Sequence, residues 1–467
     1  MGLAYLDDFE STKTNIDIHY PYNWYLASTP GMFEESTLSN NVDNGKNRAL
    51  MAWYAVDRIL NSEARTTPPN LRGNLESQSN HYTRQVRETE LFPNRDIDPT
   101  GTSLMTLLNL SFYPEERGPY NLDVTGINPA TGKLKNPQDR WGGIMRKIET
   151  SDFETANIEY IEFWMMDPFV YGTQNNSGGD LYFNLGDISE DILKDGKKSF
   201  EHGLPIDNTN QNFETTVWGR IPLTQSTVIA FDNTAGAREK QDVGLNGLST
   251  EDEFTFPTYK AYVENITTHL DPAVVTQMQS DPHSPLNDPS GDNYHFYLGR
   301  DYDDRNLSIL ERYKYYNGTE RNSPDAAEAG TEYSTSATLA PDIEDINSDN
   351  TLNEYEKYFQ YKVQLRPENM QVGTNFITDL VEASVTLKNG NTEKVKWYQF
   401  KIPIREYTDK VGSIRNFKSI RFVRLFLTGF EKETHVRFAS LDLVRGEWKT
   451  YTKPLSTTAS ASNARMH

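Results

Sequence analysis

The stretch from Ile158 to Met166, IEYIEFWMM, decides the fold class of this chain. Hydrophobic side chains occupy both of its alternating faces. A strand that is apolar on both faces is typical of the interior of a layered β structure, where each face packs against other side chains. The stretch therefore predicts a central strand of a two-layer β-sandwich.

Other segments extend this pattern along the chain. Period-2 alternation of apolar residues recurs in Ser103 to Tyr113, Asp180 to Leu185, Lys396 to Ile404, Ile420 to Thr428 and Val436 to Val444. Clusters of Gly, Pro, Asn and Asp bound these segments, as they bound strands. We therefore predict a mostly-β chain with two or more antiparallel β-sandwich domains of jelly-roll or galactose-binding-like type, with short helices and long loops.

Helical signals are few. Asp271-Pro272 is a helix cap followed by proline at the first helical position, and Ser189 before EDIL shows a similar start. The residues from Asn47 to Leu60 place apolar side chains near helical spacing. We expect a short helix at each of these three places.

One stretch of small and polar residues suggests a domain boundary. Residues 321–341, RNSPDAAEAGTEYSTSATLAP, have little to bury, so we interpret them as a linker or long loop. We expect a first sandwich over residues 1–320, with an insertion at about 45–135, and a second over residues 342–452. Residues 453–467 are predicted to be a disordered tail.

The composition excludes several classes of function. The chain has 467 residues, no cysteine, and a net charge of −21 from 46 Lys and Arg against 67 Asp and Glu. This charge repels phosphate, so nucleic acid is not an expected partner. Thiol chemistry and thiolate metal sites are excluded. No apolar run reaches the roughly 18 residues of a transmembrane helix.

The sharpest local signal is DINSDNTLNEYE, which begins at Asp345 and places oxygen donors at the spacing of a calcium-binding loop. The predicted calcium ligands are Asp345, Asn347, Asp349, Thr351 (through its carbonyl) and Glu356. Asn350 stands where such loops have glycine, and asparagine tolerates the left-handed conformation needed there. Asp342 and Glu344 are acidic neighbours. The alternative is an Asx-rich turn that leads into a strand, because the following residues alternate.

No motif indicates catalysis. H-E-x-x-H, G-x-S-x-G and phosphate-binding loops are absent from the sequence, and nothing selects a pair among the many carboxylates. Tryptophans are able to stack on sugars, but core packing is the more frequent role for them. We therefore expect a protein that is not an enzyme.

Several longer strings resemble a known family. They include LAYLDDFESTKTNIDIHYPYNWYLASTP from Leu3, RWGGIMRKIETSDFETANIEYIEFWMMDPF from Arg140, LYFNLGDISEDILKDGKKSFEHGLP from Leu181, and IRFVRLFLTGF from Ile420. These strings are similar to the SprA family of cell-surface gliding-motility and secretion proteins of Bacteroidetes. The resemblance runs from about Leu3 to Tyr451.

This resemblance implies a function in protein export. The family forms the outer-membrane translocon of the type 9 secretion system, a very large single-chain β-barrel. It implies that this chain is a soluble internal region, on the extracellular or periplasmic side of the outer membrane. The implied partners are secreted cargo proteins, other type 9 components and the rest of the barrel, and no catalytic residues carry over.

A second class of function stays open beside this one. It is a calcium-stabilised surface protein that binds carbohydrate or acts as an adhesin, supported by the acidic loop and the aromatic residues. A polysaccharide hydrolase ranks third.

Overall fold

The computed structural model describes residues 15–94, 103–173, 176–199, 213–223, 235, 244–317 and 344–446. The predicted linker 321–341 and the predicted tail 453–467 lie outside the described residues.

The described chain is dominated by strands. In chain order they are β1 (Ile16–Asp17), β2 (Tyr25–Leu26), β3 (Ala49–Tyr54), β4 (Leu108–Arg117), β5 (Trp141–Lys147), β6 (Ile158–Met166), β7 (Gly179–Asp187), β8 (Phe213–Thr215), β9 (Arg220–Pro222), β10 (Lys357–Leu365), β11 (Ile377–Thr386), β12 (Thr392–Pro403), β13 (Asp409–Val411), β14 (Phe422–Thr428) and β15 (Thr434–Arg445). The α-helices are α1 (Leu75–Ser79), α2 (Glu88–Leu91), α3 (Thr250–Glu253), α4 (Pro257–His269), α5 (Pro272–Met278), α6 (Arg300–Asp304) and α7 (Ile309–Arg312). Single 3-10 turns occupy Pro21–Asn23, Glu34–Thr37, Val42–Gly45, Arg58–Asn61, Pro137–Asp139 and Pro367–Asn369.

Two antiparallel sheets contain most of these strands. The larger sheet has the order β11-β12-β6-β15-β4-β3, with β1 beside β15, and the smaller has the order β13-β10-β7-β14-β5-β2. Strands β8 and β9 form a separate hairpin. This arrangement confirms the mostly-β, antiparallel sandwich prediction.

The core lies between the two sheets. Phe163 of β6 is fully buried and stacks on Phe400 of β12, with ring centroids 4.6 Å apart. Its ring centroid is 5.5 Å from that of Phe183, which belongs to β7 in the smaller sheet. The residues of IEYIEFWMM thus form a central strand with both faces covered, and its bounds match the prediction.

The prediction of two separate sandwiches is wrong, because each sheet combines strands from both sides of residues 321–341. In the larger sheet β6 lies between β12 and β15, and in the smaller sheet β7 lies between β10 and β14. Sequence patterns report strands but not their partners, so an interleaved sandwich resembles two consecutive ones. The described strands of residues 342–452 therefore complete the sandwich that the earlier strands begin.

The inserted segment is shorter than the predicted 45–135. Strands β3 and β4 belong to the larger sheet, so the insertion is the chain between Tyr54 and Leu108. Val86 and Leu91 from this segment pack with Trp164 and Trp397 on the outer face of that sheet. The insertion covers a sheet face that is otherwise too apolar to face water.

The helix predictions succeeded at one place of three. Helix α5 begins at Pro272, as expected after Asp271. The residues Ala49–Tyr54, inside the predicted helix of Asn47 to Leu60, form β3 and are buried on both faces. The residues after Ser189 form no helix. The 13-residue helix α4 was not predicted.

Candidate functional site at the acidic clasp

The predicted calcium loop lies beside a second acidic segment at one end of the smaller sheet. Strands β7 and β10 are antiparallel neighbours, and Asp187 at the end of β7 pairs with Lys357 at the start of β10. The chain after β7 and the chain before β10 therefore leave the sheet at the same end. We name these two segments, residues 188–199 and 344–356, the acidic clasp.

Glu190 links the first segment to the second. Its side chain accepts hydrogen bonds from the backbone N–H groups of Ile346 at 2.6 Å, Asn347 at 3.3 Å and Asn353 at 3.4 Å. The carboxylate is buried, and three N–H donors replace the water it has lost. Burial nevertheless raises the pKa of Glu190 to about 7.

Glu344 makes the reciprocal link. Its carboxylate accepts from the N–H groups of Ile192 at 2.6 Å, Leu193 at 3.2 Å and Ser199 at 2.9 Å. These bonds attach the segment after Ser189 to the second segment of the clasp, and the predicted helix does not form there. Burial, together with the nearby charge of Asp191, raises the pKa of Glu344 well above its usual range.

Four of the five predicted calcium ligands lie together in one Asx-rich turn. Asp345 accepts from the N–H groups of Asp349 and Asn350, at 2.9 and 2.8 Å, and Asn347 also accepts from the Asp349 N–H at 2.9 Å. Asp349 in turn accepts from the N–H and hydroxyl of Thr351, at 2.9 and 2.6 Å. Asn350 has φ 66°, the left-handed conformation expected in place of glycine.

Glu356 has a different partner. It pairs with the buried Arg424 of β14, with Nη1 3.0 Å from Oε1 and Nη2 2.9 Å from Oε2. Its Oε1 also accepts from the Ser189 N–H at 3.2 Å. The position-12 carboxylate, which is bidentate to the metal in a calcium loop, is therefore bidentate to an arginine here.

Cations also lie beside the other loop carboxylates. Lys198 Nζ is 3.7 Å from Asp345 Oδ2, and Arg421 Nη2 is 2.5 Å from Asp349 Oδ2. Within the described ranges, no group of three or more His, Cys, Asp or Glu side chains is arranged to hold a metal ion. This geometry does not fit calcium as it stands, because the ion would have to displace Arg424 from Glu356 and compete with two further cations.

Calcium binding stays a prediction with a direct test. The calcium prediction implies that the native chain melts at a higher temperature in calcium than in chelator, by the equivalent of about 2.7 kcal/mol when calcium is at 100 times its dissociation constant. The double substitution Asp345→Ala with Asp349→Ala is expected to remove this increment. It should also lower the melting temperature in chelator, because the turn loses its acceptors. Identical melting of the native chain under both conditions contradicts the site.

The free energy of unfolding is expected to fall as pH rises through the raised pKa values of the buried carboxyl groups in the acidic clasp. Burial raises the pKa of Glu190 to about 7 and that of Asp191 to about 6, so the folded chain binds more protons than the unfolded chain. The stabilising contribution is present below the unfolded values and is lost as pH rises through the folded ones. We expect Glu190→Gln to flatten the dependence between about pH 5 and pH 8 by ~1–3 kcal/mol. Urea unfolding at several pH values measures this, and an unchanged slope contradicts it.

Sequence reasoning identified part of this site. It found the turn of Asp345 to Thr351 and named Glu344 as an acidic neighbour, but it missed the role of Glu190. The only signal for Glu190 was its place in the Ser189 stretch, which we interpreted as a helix start. The pairing of Glu356 with Arg424 left no local signal, because the two residues lie on separate elements.

The described tryptophans are buried, as the more frequent role of this residue type predicts. The buried ones are Trp24, Trp53, Trp141, Trp164, Trp218 and Trp397. Trp448 lies outside the described residues. None of the described tryptophans therefore offers an exposed ring on which a sugar would stack.

The helices and the comparisons with known proteins add three findings. Over the described part of the chain, no helix combines the length and the apolar character that crossing a membrane requires. No curated protein matches the chain. Residues 261–467 match the model of the SprA_N family, described as motility related/secretion protein. The family's description refers to motility and secretion and not to an enzyme. The chain thus resembles SprA, and over residues 261–467 this resemblance is confirmed.

Proposed function

We propose that this chain is a region of the type 9 secretion outer-membrane translocon that acts by shape and binding and not by catalysis. The observation that carries the proposal is the match of residues 261–467 to a motility related/secretion family. The proposed partners are exported proteins and other components of the secretion machinery. The proposed location is the outer membrane or cell surface.

The sheet topology connects the matched residues to the earlier part of the chain. The matched residues contribute β10 to β15, and these pair with β4, β5, β6 and β7 from the unmatched part. The sandwich is completed only by both parts together, so a function carried by the matched residues depends on the whole unit. This supports treating the described residues between 15 and 446 as one structural part of the proposed translocon.

The packing supports a role as a rigid scaffold. The core between the sheets contains closely stacked aromatic rings, such as Phe359 on Phe417 at 4.1 Å and Phe163 on Phe400 at 4.6 Å. Close-packed interiors of this kind resist deformation. A rigid sandwich with a net negative charge offers a surface that discourages nonspecific attachment of passing acidic polypeptides.

A chromosomal substitution tests the proposal. Phe163→Asp, placed in the native gene, puts a charge in the fully buried core and is expected to abolish export of secreted proteins into the medium and gliding. Exported proteins should accumulate in the periplasm. Tyr355→Ala, at a side chain that is 61% exposed, is the matched control and should behave like the parent.

Two measurements accompany this test. Immunoblotting of membrane fractions shows whether the altered chain reaches the outer membrane, and photo-crosslinking from exposed positions shows whether exported polypeptides contact it. Normal export and gliding with the Phe163→Asp chain overturns the proposal.

A further inference from the structure

Strand β11 ends the larger sheet, and no described strand pairs with its outer side. It pairs with β12 alone, and among the described strands none lies on its other side. A strand in this position presents a row of backbone N–H and C=O groups that are able to pair with another chain. Natural proteins protect such edges with charges, bulges or short strand length.

Protection is present in the first part of β11 and absent from the second. A register shift between Ile377 and Asp379 marks a bulge, and the Asp379 carboxylate accepts from the Leu380 N–H at 2.8 Å. Residues 381–386, VEASVT, follow β12 in regular register. Their one charged side chain, Glu382, is paired with Lys394 of β12 at 2.7 Å. The described part of the chain supplies no hydrogen bond to the outer side of these residues.

A slot runs along this open edge. It has a volume of 810 Å³, and residues 381–388 all line it. Successive residues of a strand point to opposite faces, so a cavity that contacts every one of them follows the backbone edge and not a face. The far wall includes Arg84, Arg87, Glu90 and Pro93, around helix α2. The volume lies within the ~300–1,000 Å³ typical of binding sites.

The slot carries positive charge on a chain whose net charge is −21. Arg84 is neutralised by Glu90, with contacts of 2.6 and 2.8 Å. Arg87 is exposed, and Lys388 Nζ contacts the Asn61 carbonyl and Gln78 Oε1. Neither Arg87 nor Lys388 has a carboxylate within ion-pair distance in the described ranges. An acidic occupant would supply the missing partners.

We propose that β11 accepts an extended acidic segment of another polypeptide, which pairs edge-on with residues 381–386 and adds a strand to the larger sheet. Main-chain hydrogen bonds would supply affinity, and alternate side chains would supply specificity. Carboxylates of the segment reach Arg87 and Lys388 at the two walls of the slot. This inference rests on the geometry of the edge and holds independently of the role in secretion.

Synthetic peptides test the pairing with the full chain. The probe is a peptide of about eight residues that alternates valine with glutamate, long enough to span residues 381–386. The first control has the same sequence with alternate backbone nitrogens methylated, which removes strand pairing and keeps the charge. The second replaces glutamate with lysine. We expect each control to bind at least about tenfold more weakly than the probe.

Protein variants test the location. The double substitution Arg87→Glu with Lys388→Glu should weaken binding of the acidic probe by about tenfold or more and strengthen binding of the lysine peptide. Lys410→Glu, on the exposed edge strand β13 of the smaller sheet, is the matched control and should leave binding unchanged. Because the chain has no cysteine, Ser384→Cys gives a single trapping position for a cysteine-bearing probe, with Lys410→Cys as its control.

Each other outcome overturns the proposal. Equal binding of the methylated peptide shows attraction by charge without strand pairing, and absence of binding shows a closed edge. A photo-crosslinker at position 384 that captures residues 95–102 of the same chain, and is not displaced by the probe, identifies an internal occupant. Capture of a second copy identifies self-association.

Discussion

Cleavage of the chain within residues 321–341 is expected to leave its two parts bound to each other under native conditions. Both sheets depend on strands from each side of the cut: β6 pairs with β12 and β15, and β7 pairs with β10 and β14. Separation would expose fully buried side chains such as Phe400 and Phe438 on one part and Phe163 on the other. At about 1.5–3 kcal/mol for each large apolar side chain, this exposure is prohibitive.

The experiment uses a protease site inserted between Ala329 and Gly330. The cut chain should elute as one species in size-exclusion chromatography and separate only in denaturant. Once separated, neither part alone should show a cooperative thermal transition, and mixing them should restore one. An uninserted chain treated with the same protease is the control. If the two parts elute separately and each unfolds cooperatively, the chain consists of two independent domains and the single-sandwich description is wrong.

Glu356→Ala is expected to lower the free energy of unfolding by about 3–5 kcal/mol, because it leaves the buried Arg424 without its counter-ion. Arg424 is fully buried, and its remaining partners, Asn184, Ser28 and the Tyr358 ring, are neutral. An uncompensated charge in such a place is among the most costly defects a fold can carry. Urea unfolding in the presence of chelator measures the loss without any contribution from calcium.

Two further variants make this measurement specific. Glu382→Ala removes an ion pair between exposed side chains, Glu382 and Lys394, and should cost no more than about 1 kcal/mol. Combining Glu356→Ala with Arg424→Met should recover part of the loss, because the double variant has no unpaired charge. Equal losses in the free energy of unfolding for Glu356→Ala and Glu382→Ala would show that the buried pair stabilises the fold no more than an exposed pair. Calcium should not restore the stability that Glu356→Ala loses, because this variant lacks the twelfth ligand of the loop.

Local pattern was sufficient where a segment has one possible environment. Ile158–Met166 was predicted with its observed bounds, because a short run that is apolar on both faces fits an interior strand. Ala49–Tyr54 was predicted as helix and is a strand, since its apolar run satisfies either periodicity. Its pairing with β4 and the cover supplied by the insertion decide the outcome. Helix and strand are hard to separate in such runs without that context.

At the acidic clasp the same division holds. The turn from Asp345 to Thr351 was readable, because Asx side chains bond to backbone N–H groups a few residues ahead. The role of Glu190 could not be predicted, because the N–H groups that donate to its carboxylate belong to a distant segment. Likewise, the spacing of Glu356 matched a calcium ligand, but Arg424 occupies its carboxylate.

The sequence by itself determined the strand-rich character, the positions of β4, β6, β7, β12, β14 and β15, the Asx-rich turn, the acidic charge and the resemblance to SprA. These depend on alternation, turn chemistry and composition, which act over a few residues or over the whole chain without regard to its path. Only the tertiary structure decided that the described strands interleave in a single sandwich, that Glu356 pairs with Arg424, and that no described strand pairs with the outer side of β11. The physical reason is that partners distant in the chain compete for each strand face, edge and charge. Which partner is bound in the native fold depends on the sum of all contacts and not on any local pattern.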